Sequence, residues 1–329
     1  MPCARFPIPV ANPVFLAPMS GITDLPFRQA VARFGAGLVV SEMIASGEIV
    51  TARPTRRAAS QARAEIGDFA ATSVQIAGRD PQLMAMAARI ARDQGAPMVD
   101  INMGCPAKKV VGGASGSALM RDLELALRLI DAVVSAVDVP VSLKMRLGWD
   151  TDALNAPLIA KRAEAAGIAM VTVHGRTRAQ FYTGQADWRA IRPVVDAVAV
   201  PVVANGDITD AVSARRALAL SGAAGVMVGR GAQGRPWLLA QIAADLVGAA
   251  QPVIPSAADL VDTVSQHYQA ILTFYGTELG VRVARKHLGW YIDAAGGPPE
   301  LRASVMRENA ADRVLAALPA ALTPYRNAA

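Results

Sequence analysis

The chain has 329 residues, 53% of them hydrophobic and 18% charged, which is enough apolar material for a large core and unlike a disordered chain. Its two cysteines exclude a disulfide framework and a cysteine-ligated iron–sulfur cluster, and no clustered Cys/His spacing suggests a metal site. A formal charge of +6 and a pI near 9.7 point to an anionic partner, either nucleic acid or a phosphorylated small molecule.

In chain order, Met1 to Pro18 has scattered prolines and only Arg5 as a basic residue before Phe6, unlike a signal peptide. No apolar run approaches the roughly 20 residues of a membrane span, so the expectation is a cytoplasmic protein with no membrane partner. Short runs rich in Val, Ile and Leu recur at Val14–Ala17, Leu38–Ser41, Ser73–Ile76, Met98–Ile101, Val141–Lys144, Met170–Val173, Pro201–Ala204 and Gly225–Val228. They read as strands buried on both faces. Helical patterns separate them at Pro81–Gln94, Leu123–Val137, Ala156–Ala166 and Ala211–Ser221. Ile49 to Asp68 carries no strand pattern and is expected to be a loop or helical insertion. Eight alternating units predict a parallel (β/α)8 TIM barrel, of the α/β class, over residues 1–245. Gln251 to Pro255 reads as a linker. Ala257–Tyr275, Gly280–Ala294 and Glu300–Ala317 have helical periodicity, predicting a small α-helical domain over 256–329. Residues 245–329 hold 7 Lys+Arg and 8 Asp+Glu, so the basic excess belongs to the barrel, with Arg282, Arg285 and Lys286 as a local exception.

Barrel chemistry gathers at the C-terminal ends of the strands. Here those ends read Pro18-Met19, Glu42-Met43, Gln75, Asn102 with Cys105, Lys144 with Arg146, His174 with Arg176, Asn205-Gly206-Asp207 and Gly229-Arg230. Buried Lys and Glu are rare unless paired, and one shared cavity accounts for the whole set. Asn205-Gly206-Asp207 and Gly229-Arg230-Gly231 follow the seventh and eighth strands, the usual place for a barrel's phosphate site. Lys144 and His174 can donate to the electron-rich edge of a redox ring and Gln75 and Asn102 can meet an amide edge, a pattern that suits flavin mononucleotide (FMN). It does not suit a dinucleotide, because no G-x-G-x-x-G joins a strand to a helix and Gly225 to Gly231 is no substitute. Cys105, between Gly104 and Pro106, sits in a tight turn leaving a strand, where a side chain is presented rather than packed.

The chain resembles the bacterial tRNA-dihydrouridine synthases, their B-type branch in particular. The resemblance is carried by Ala17-Pro18-Met19-Ser20-Gly21, Val74-Gln75-Ile76-Ala77-Gly78, Asp100-Ile101-Asn102-Met103-Gly104-Cys105-Pro106, Thr172-Val173-His174-Gly175-Arg176-Thr177-Arg178, Ala204-Asn205-Gly206-Asp207-Ile208, Gly229-Arg230-Gly231-Ala232-Gln233-Gly234-Arg235 and Arg285-Lys286-His287-Leu288-Gly289-Trp290-Tyr291. It implies an FMN barrel and a helical RNA-binding domain that reduce D-loop uridines of tRNA with NADPH as co-substrate. Carried onto this chain, the pattern places Pro18, Met19, Ser20, Gln75, Lys144 and His174 at the flavin, and Asn205, Gly206, Asp207, Gly229 and Arg230 on its phosphate side. Cys105 becomes the acid that protonates C5 while hydride reaches C6. Asn102, Lys108, Lys109, Arg146, Arg176, Arg178, Arg282, Arg285 and Lys286 are the candidates for substrate contact. Two rival readings are a flavin barrel reducing a free pyrimidine or enone, and a flavin-bound RNA chaperone.

Overall fold

The computed structural model describes residues 5–50 and 71–324, so Cys3 and most of the expected 49–68 insertion lie outside the described residues. Each of the eight apolar runs forms a strand: β1 (Val14–Leu16), β2 (Leu38–Val40), β4 (Thr72–Ala77), β5 (Val99–Met103), β6 (Val141–Arg146), β7 (Met170–His174), β8 (Val202–Asn205) and β9 (Gly225–Val228). The two-residue β3 (Ile44–Ala45) extends the stave begun by β2 and pairs with the upper end of β4. Every pairing is parallel, and β1–β9 together with β2–β4 close the ring.

Side chains alternate across each strand. On β5 and β6, Val99, Ile101, Met103, Val141, Leu143 and Met145 face outward into an apolar layer shared with the helices. Their neighbours Asp100, Asn102, Ser142, Lys144 and Arg146 therefore point into the barrel. The lower interior is apolar, built from Phe15, Leu38, Met98, Met170, Val203 and Met227, and the N-terminal residues Phe6, Ile8 and Val10 pack into the same cluster. Polarity rises toward the C-terminal ends of the staves, where the register sets Asn102 beside Lys144, Arg146 beside His174 and His174 beside Asn205.

The outer helices include α1 (Leu25–Phe34), α2 (Ser46–Val50), α3 (Pro81–Asp93), α4 (Lys108–Gly112), α5 (Leu123–Val134), α6 (Ala156–Ala165), α7 (Arg192–Ala197), α8 (Ala211–Ser221) and α9 (Leu238–Val247). Four of them start on an Asp whose carboxylate accepts a first-turn N–H: Asp24 from Phe27, Asp80 from Leu83, Asp122 from Leu125 and Asp210 from Ser213. Each such cap contributes about 1 kcal/mol.

The C-terminal region is helical, with α10 (Ala257–Tyr275), α11 (Thr277–Ala295), α12 (Pro299–Arg307) and α13 (Ala311–Ala321) around a core that includes Tyr268, Ile271, Leu288, Ile292, Val314 and Leu318. The single helix expected over 300–317 is two helices. Glu308 is extended, and its carboxylate accepts from the N–H groups of Asn309 and Ala310 at 2.7 and 2.8 Å, stopping one helix and starting the next. This region seats on α1. Phe27 packs on the rings of His267 and His287, and the Tyr275 hydroxyl donates to Asp24 at 3.1 Å.

Candidate active site

A cavity of about 710 Å³ opens at the C-terminal end of the barrel. Of the residues singled out above, Pro18, Met19, Ser20, Gln75, Asn102, Cys105, Lys144, Arg146, His174, Asn205, Gly206, Asp207, Gly229 and Arg230 all line it. Lys108, Lys109, Arg176, Arg178, Arg282, Arg285 and Lys286 are not among the lining residues.

Cys105 is partly exposed, and its turn is held at several points. The Asn102 side-chain oxygen accepts from the N–H groups of Gly104 at 3.2 Å and Cys105 at 3.0 Å. The Cys105 carbonyl accepts from both the N–H and the hydroxyl of Ser117, at 3.1 and 2.9 Å. Gly116 lies against this turn at φ +60°, and a Cβ there would come within 2.8 Å of the Cys105 carbonyl. Only glycine meets both demands. Below the turn, Asn102 donates to Gln75 at 2.7 Å, Gln75 donates to Asp100 at 2.6 Å, and Ser142 donates to the other Asp100 oxygen at 2.6 Å.

Lys144 donates to Asn205 at 3.2 Å, and Asn205 in turn donates to the Met227 carbonyl. Burial and then the neighbouring Arg146 charge push Lys144 down to about 8, so it remains cationic at neutral pH. His174 lies well below its usual range, through burial first and then the surrounding Lys144, Arg146, Arg176 and Arg230 charges. It is therefore neutral. Arg176 Nη1 lies 3.2 Å from its Nε2, and a guanidinium can only donate, which puts the ring proton on Nδ1. Arg146 donates to the carbonyls of Gly104, Thr177 and Phe181, each at 2.8 Å, binding the Cys105 turn to the loop after β7.

Arg176 does not stand at the mouth as an anchor for RNA. It is 1% exposed and forms a two-pronged pair with Asp207, at 3.0 and 2.5 Å, while also donating to the Thr183 and Gly184 carbonyls. Strand alternation carries it inward from His174, and a buried guanidinium needs this full set of acceptors. Partial burial of Asp207 favours its neutral form, but the Arg176 and Ala186 hydrogen bonds and the Arg176 and Arg230 charges outweigh that and hold its pKa low. Asp207 itself has φ +51°, a left-handed conformation that this pair helps maintain. Arg285 is likewise a tie, donating to the Glu308 carbonyl at 3.3 Å and Asn309 at 2.7 Å where α12 gives way to α13. Arg178 stacks on Trp149, its Cζ 4.5 Å from the ring centre, with Arg121 on the same ring at 4.7 Å. Lys108 and Lys109 are exposed at the start of α4. Arg282 is exposed beside Glu278 at 3.5 Å. Lys286 reaches the loop after β1, its Nζ 3.8 Å from where a Cβ on Gly21 would stand.

Residues not anticipated from the sequence complete the cavity. Phe181 and Tyr182, 45% and 46% exposed, line its wall, and the Tyr182 ring carries the guanidinium groups of Arg230 at 5.3 Å and Arg146 at 5.5 Å. Adjacent aromatics in a glycine-punctuated loop between two strand ends are the one signal that could have drawn attention to them. Asp100 and Ser117 had no such signal, because their partners are distant in sequence.

The family model described as dihydrouridine synthase matches residues 15–325. A "probable tRNA-dihydrouridine synthase" of Rhodobacter capsulatus is 68% identical over 295 residues, covering 90% of each chain. A "tRNA-dihydrouridine synthase B" of Xanthomonas axonopodis pv. citri is 48% identical over 310 residues, covering 94% of this chain and 92% of the relative. Among solved structures, histamine dehydrogenase from Rhizobium sp. 4-9 superposes with a TM-score of 0.57 at 10% identity over 82% of this chain and 50% of that one. A morphinone reductase variant bound to tetrahydroNAD gives 0.54 at 16% identity over 78% and 92%. At such identities these two structures speak for the shared barrel alone.

Proposed function

The chain belongs to the dihydrouridine synthase family, and from that premise we propose that it reduces uridines in the D-loop of tRNA to 5,6-dihydrouridine at the cavity described above, with FMN as cofactor and NADPH as electron source. Such a substrate implies a cytoplasmic enzyme.

The residues present fit FMN. Among the described residues the cavity wall carries Lys144, Arg146, Arg230 and Arg235 against the single carboxylate of Asp207, a net positive lining for a phosphate. The amides of Gln75, Asn102 and Asn205 supply polar contacts for a heterocycle. Gly229 leaves open the space a side chain would fill, since a Cβ there would meet only Met19 and Ala17 at 3.6 and 3.7 Å. In this reading Lys144, His174, Gln75 and the Pro18–Ser20 segment hold the ring, and Gly206, Gly229 and Arg230 hold the phosphate side. When bound, the cofactor supplies hydride to C6 of uracil at the expense of NADPH.

Cys105 provides the other half of the reduction, giving its thiol proton to C5 as the C5–H bond forms and the S–H bond breaks. The thiolate left behind lies close enough to Lys144 and Arg146 to interact with both charges. The observation that carries the reading is Cys105, its backbone turn held by Asn102 and Ser117, in the same cavity as this cationic, amide-lined wall. Exposed Lys108, Lys109 and Arg282, with half-buried Lys286 on the same helix as Arg282, offer phosphate contacts for the tRNA backbone. A base entering the cavity must leave its stack, which costs a few kcal/mol and least in a loosened loop.

The test is mass-spectrometric mapping of dihydrouridine in tRNA from cells lacking the gene, complemented with the wild type or with Cys105→Ala. Restoration by the wild type and failure by a variant that still binds FMN is the expected result. The loss should be about 10²- to 10⁴-fold in rate. Full restoration by Cys105→Ala removes the acid role. A map that neither deletion nor complementation changes removes the tRNA substrate and favours a free pyrimidine.

A further inference from the structure

We propose that Asp100, inside the barrel and away from the cavity wall, is a positioning residue that fixes the Cys105 turn through the side-chain amides of Gln75 and Asn102. The proposal rests on reading Cys105 as the proton donor.

Asp100 is 3% exposed and accepts two short hydrogen bonds, from Gln75 Nε2 on β4 and Ser142 Oγ on β6, each 2.6 Å. Both of its partners are neutral, an expensive setting for a buried carboxylate. Packing alone does not call for a charge here, because an isosteric amide fills the same space. What distinguishes a carboxylate is that it only accepts. Gln75 must therefore turn its NH2 toward Asp100 and its oxygen toward Asn102. Asn102 must then donate its NH2 to Gln75, which leaves its oxygen for the N–H groups of Gly104 and Cys105. One carboxylate thus sets the polarity of two amides in series, and the last of them holds the thiol-bearing turn.

An amide at position 100 removes that constraint. Its NH2 can face the Gln75 oxygen, inverting Gln75 and then Asn102, whose NH2 would oppose the N–H groups of the turn. The two hydrogen bonds that hold the turn, one at Gly104 and one at Cys105, are then lost. Protonation of Asp100 has the same effect, since a carboxylic acid gains a donor. Burial raises its pKa to about 6 against the opposing hydrogen bonds from Gln75 and Ser142 and the charge of Lys144 on β6, the one charged group acting on it among the described residues. The rate of uridine reduction should therefore fall as pH drops below about 6.

The experiment uses the FMN-loaded full chain. Single-turnover reduction of tRNA by pre-reduced enzyme is followed against pH and tRNA concentration. Alkylation of Cys105 by iodoacetamide is followed on its own peptide by mass spectrometry, which keeps Cys3 out of the signal. Asp100→Asn should lower the maximal reduction rate at least about tenfold, part of what positioned proton transfer contributes, with half-saturating tRNA changed less than about threefold. Its Cys105 alkylation rate should change severalfold, and its acid limb should vanish. Ser142→Ala, a small change that preserves Asp100 and Gln75, should move the acid limb to higher pH, because a hydrogen bond that favoured the ionised form is gone. Wild-type reduction and wild-type alkylation in Asp100→Asn overturn the proposal. An unmoved limb in Ser142→Ala overturns it even where Asp100→Asn does not fold. Wild-type turnover by Cys105→Ala sinks the acid role instead, and the alkylation rate of Asp100→Asn still decides whether Asp100 sets the turn.

Discussion

Replacing Arg176 by Ala should destabilise the protein by about 3 kcal/mol, with no direct effect on RNA binding. The magnitude follows from the partners left behind. Breaking a buried ion pair by removing one member costs about 3–5 kcal/mol, and the lower end applies because the Asp207 side chain is 29% exposed and can be rehydrated. The Thr183 and Gly184 carbonyls each lose a donor, worth about 1 kcal/mol apiece where water cannot replace it. The assay is urea denaturation of the apoprotein, with Arg176→Lys as a control that keeps the charge but cannot span both Asp207 oxygens. Lysine should recover less than half of the loss. FMN should also dissociate faster from the alanine variant, since the left-handed Asp207 is no longer clamped. A change below about 1 kcal/mol, combined with a tRNA salt slope reduced by about one contact, would refute the structural role and return Arg176 to the RNA interface.

Tyr275→Phe removes only the hydroxyl that donates to Asp24 across the junction between α10 and α1. It should cost about 0.5–1.5 kcal/mol in urea denaturation, and exchange should speed up first at amides of α10. His267 is held down to about 3 by burial, whereas the unfolded chain protonates it near 6.5. Between those values the unfolded state binds more protons, so this contribution to stability is lost as pH falls from about 6.5 toward 3, by up to about 1.4 kcal/mol per pH unit. Asp24 and Asp100, both raised to about 6 mainly by burial, act in the opposite sense between about 4 and 6. The His267 effect is therefore read as the stability gap between wild type and His267→Asn, which should narrow as pH falls from 7 to 4. A constant gap would rule out a neutral buried imidazole.

The barrel was legible in the sequence because its strands are apolar where they meet the helices, as Val99, Ile101, Leu143 and Met145 do. The cavity was legible because Lys144, His174 and Asn205 break those runs at one end, in an alternation that points all three inward. The sequence could not distinguish Arg176 from Arg178. Two residues apart, one meets Asp207, 31 positions later, and the other lies on Trp149. The break at Glu308 was hidden for a similar reason, since Arg285 and Arg313 act on it from other turns. Asp100 looked like one polar residue in a strand, because its importance lies in the direction of two amides on its own and a neighbouring strand, which no single-chain pattern encodes.

The C-terminal helices grip both sides of the place where the barrel closes. Tyr275 and Lys286 reach the segment after β1. The Trp290 carbonyl presses on Gly234 after β9, where φ is +70° and a Cβ would stand 2.3 Å from that oxygen. Because β1 and β9 are the paired first and last staves, the latch on the ring is made from a part of the chain synthesised after both of them. A nascent barrel must wait for it with its seam unclamped. The same arrangement limits modular exchange: a helical region borrowed from another protein would need its own partner for Asp24 and a carbonyl face that Gly234 can meet, or the graft would loosen the cylinder it was meant to serve.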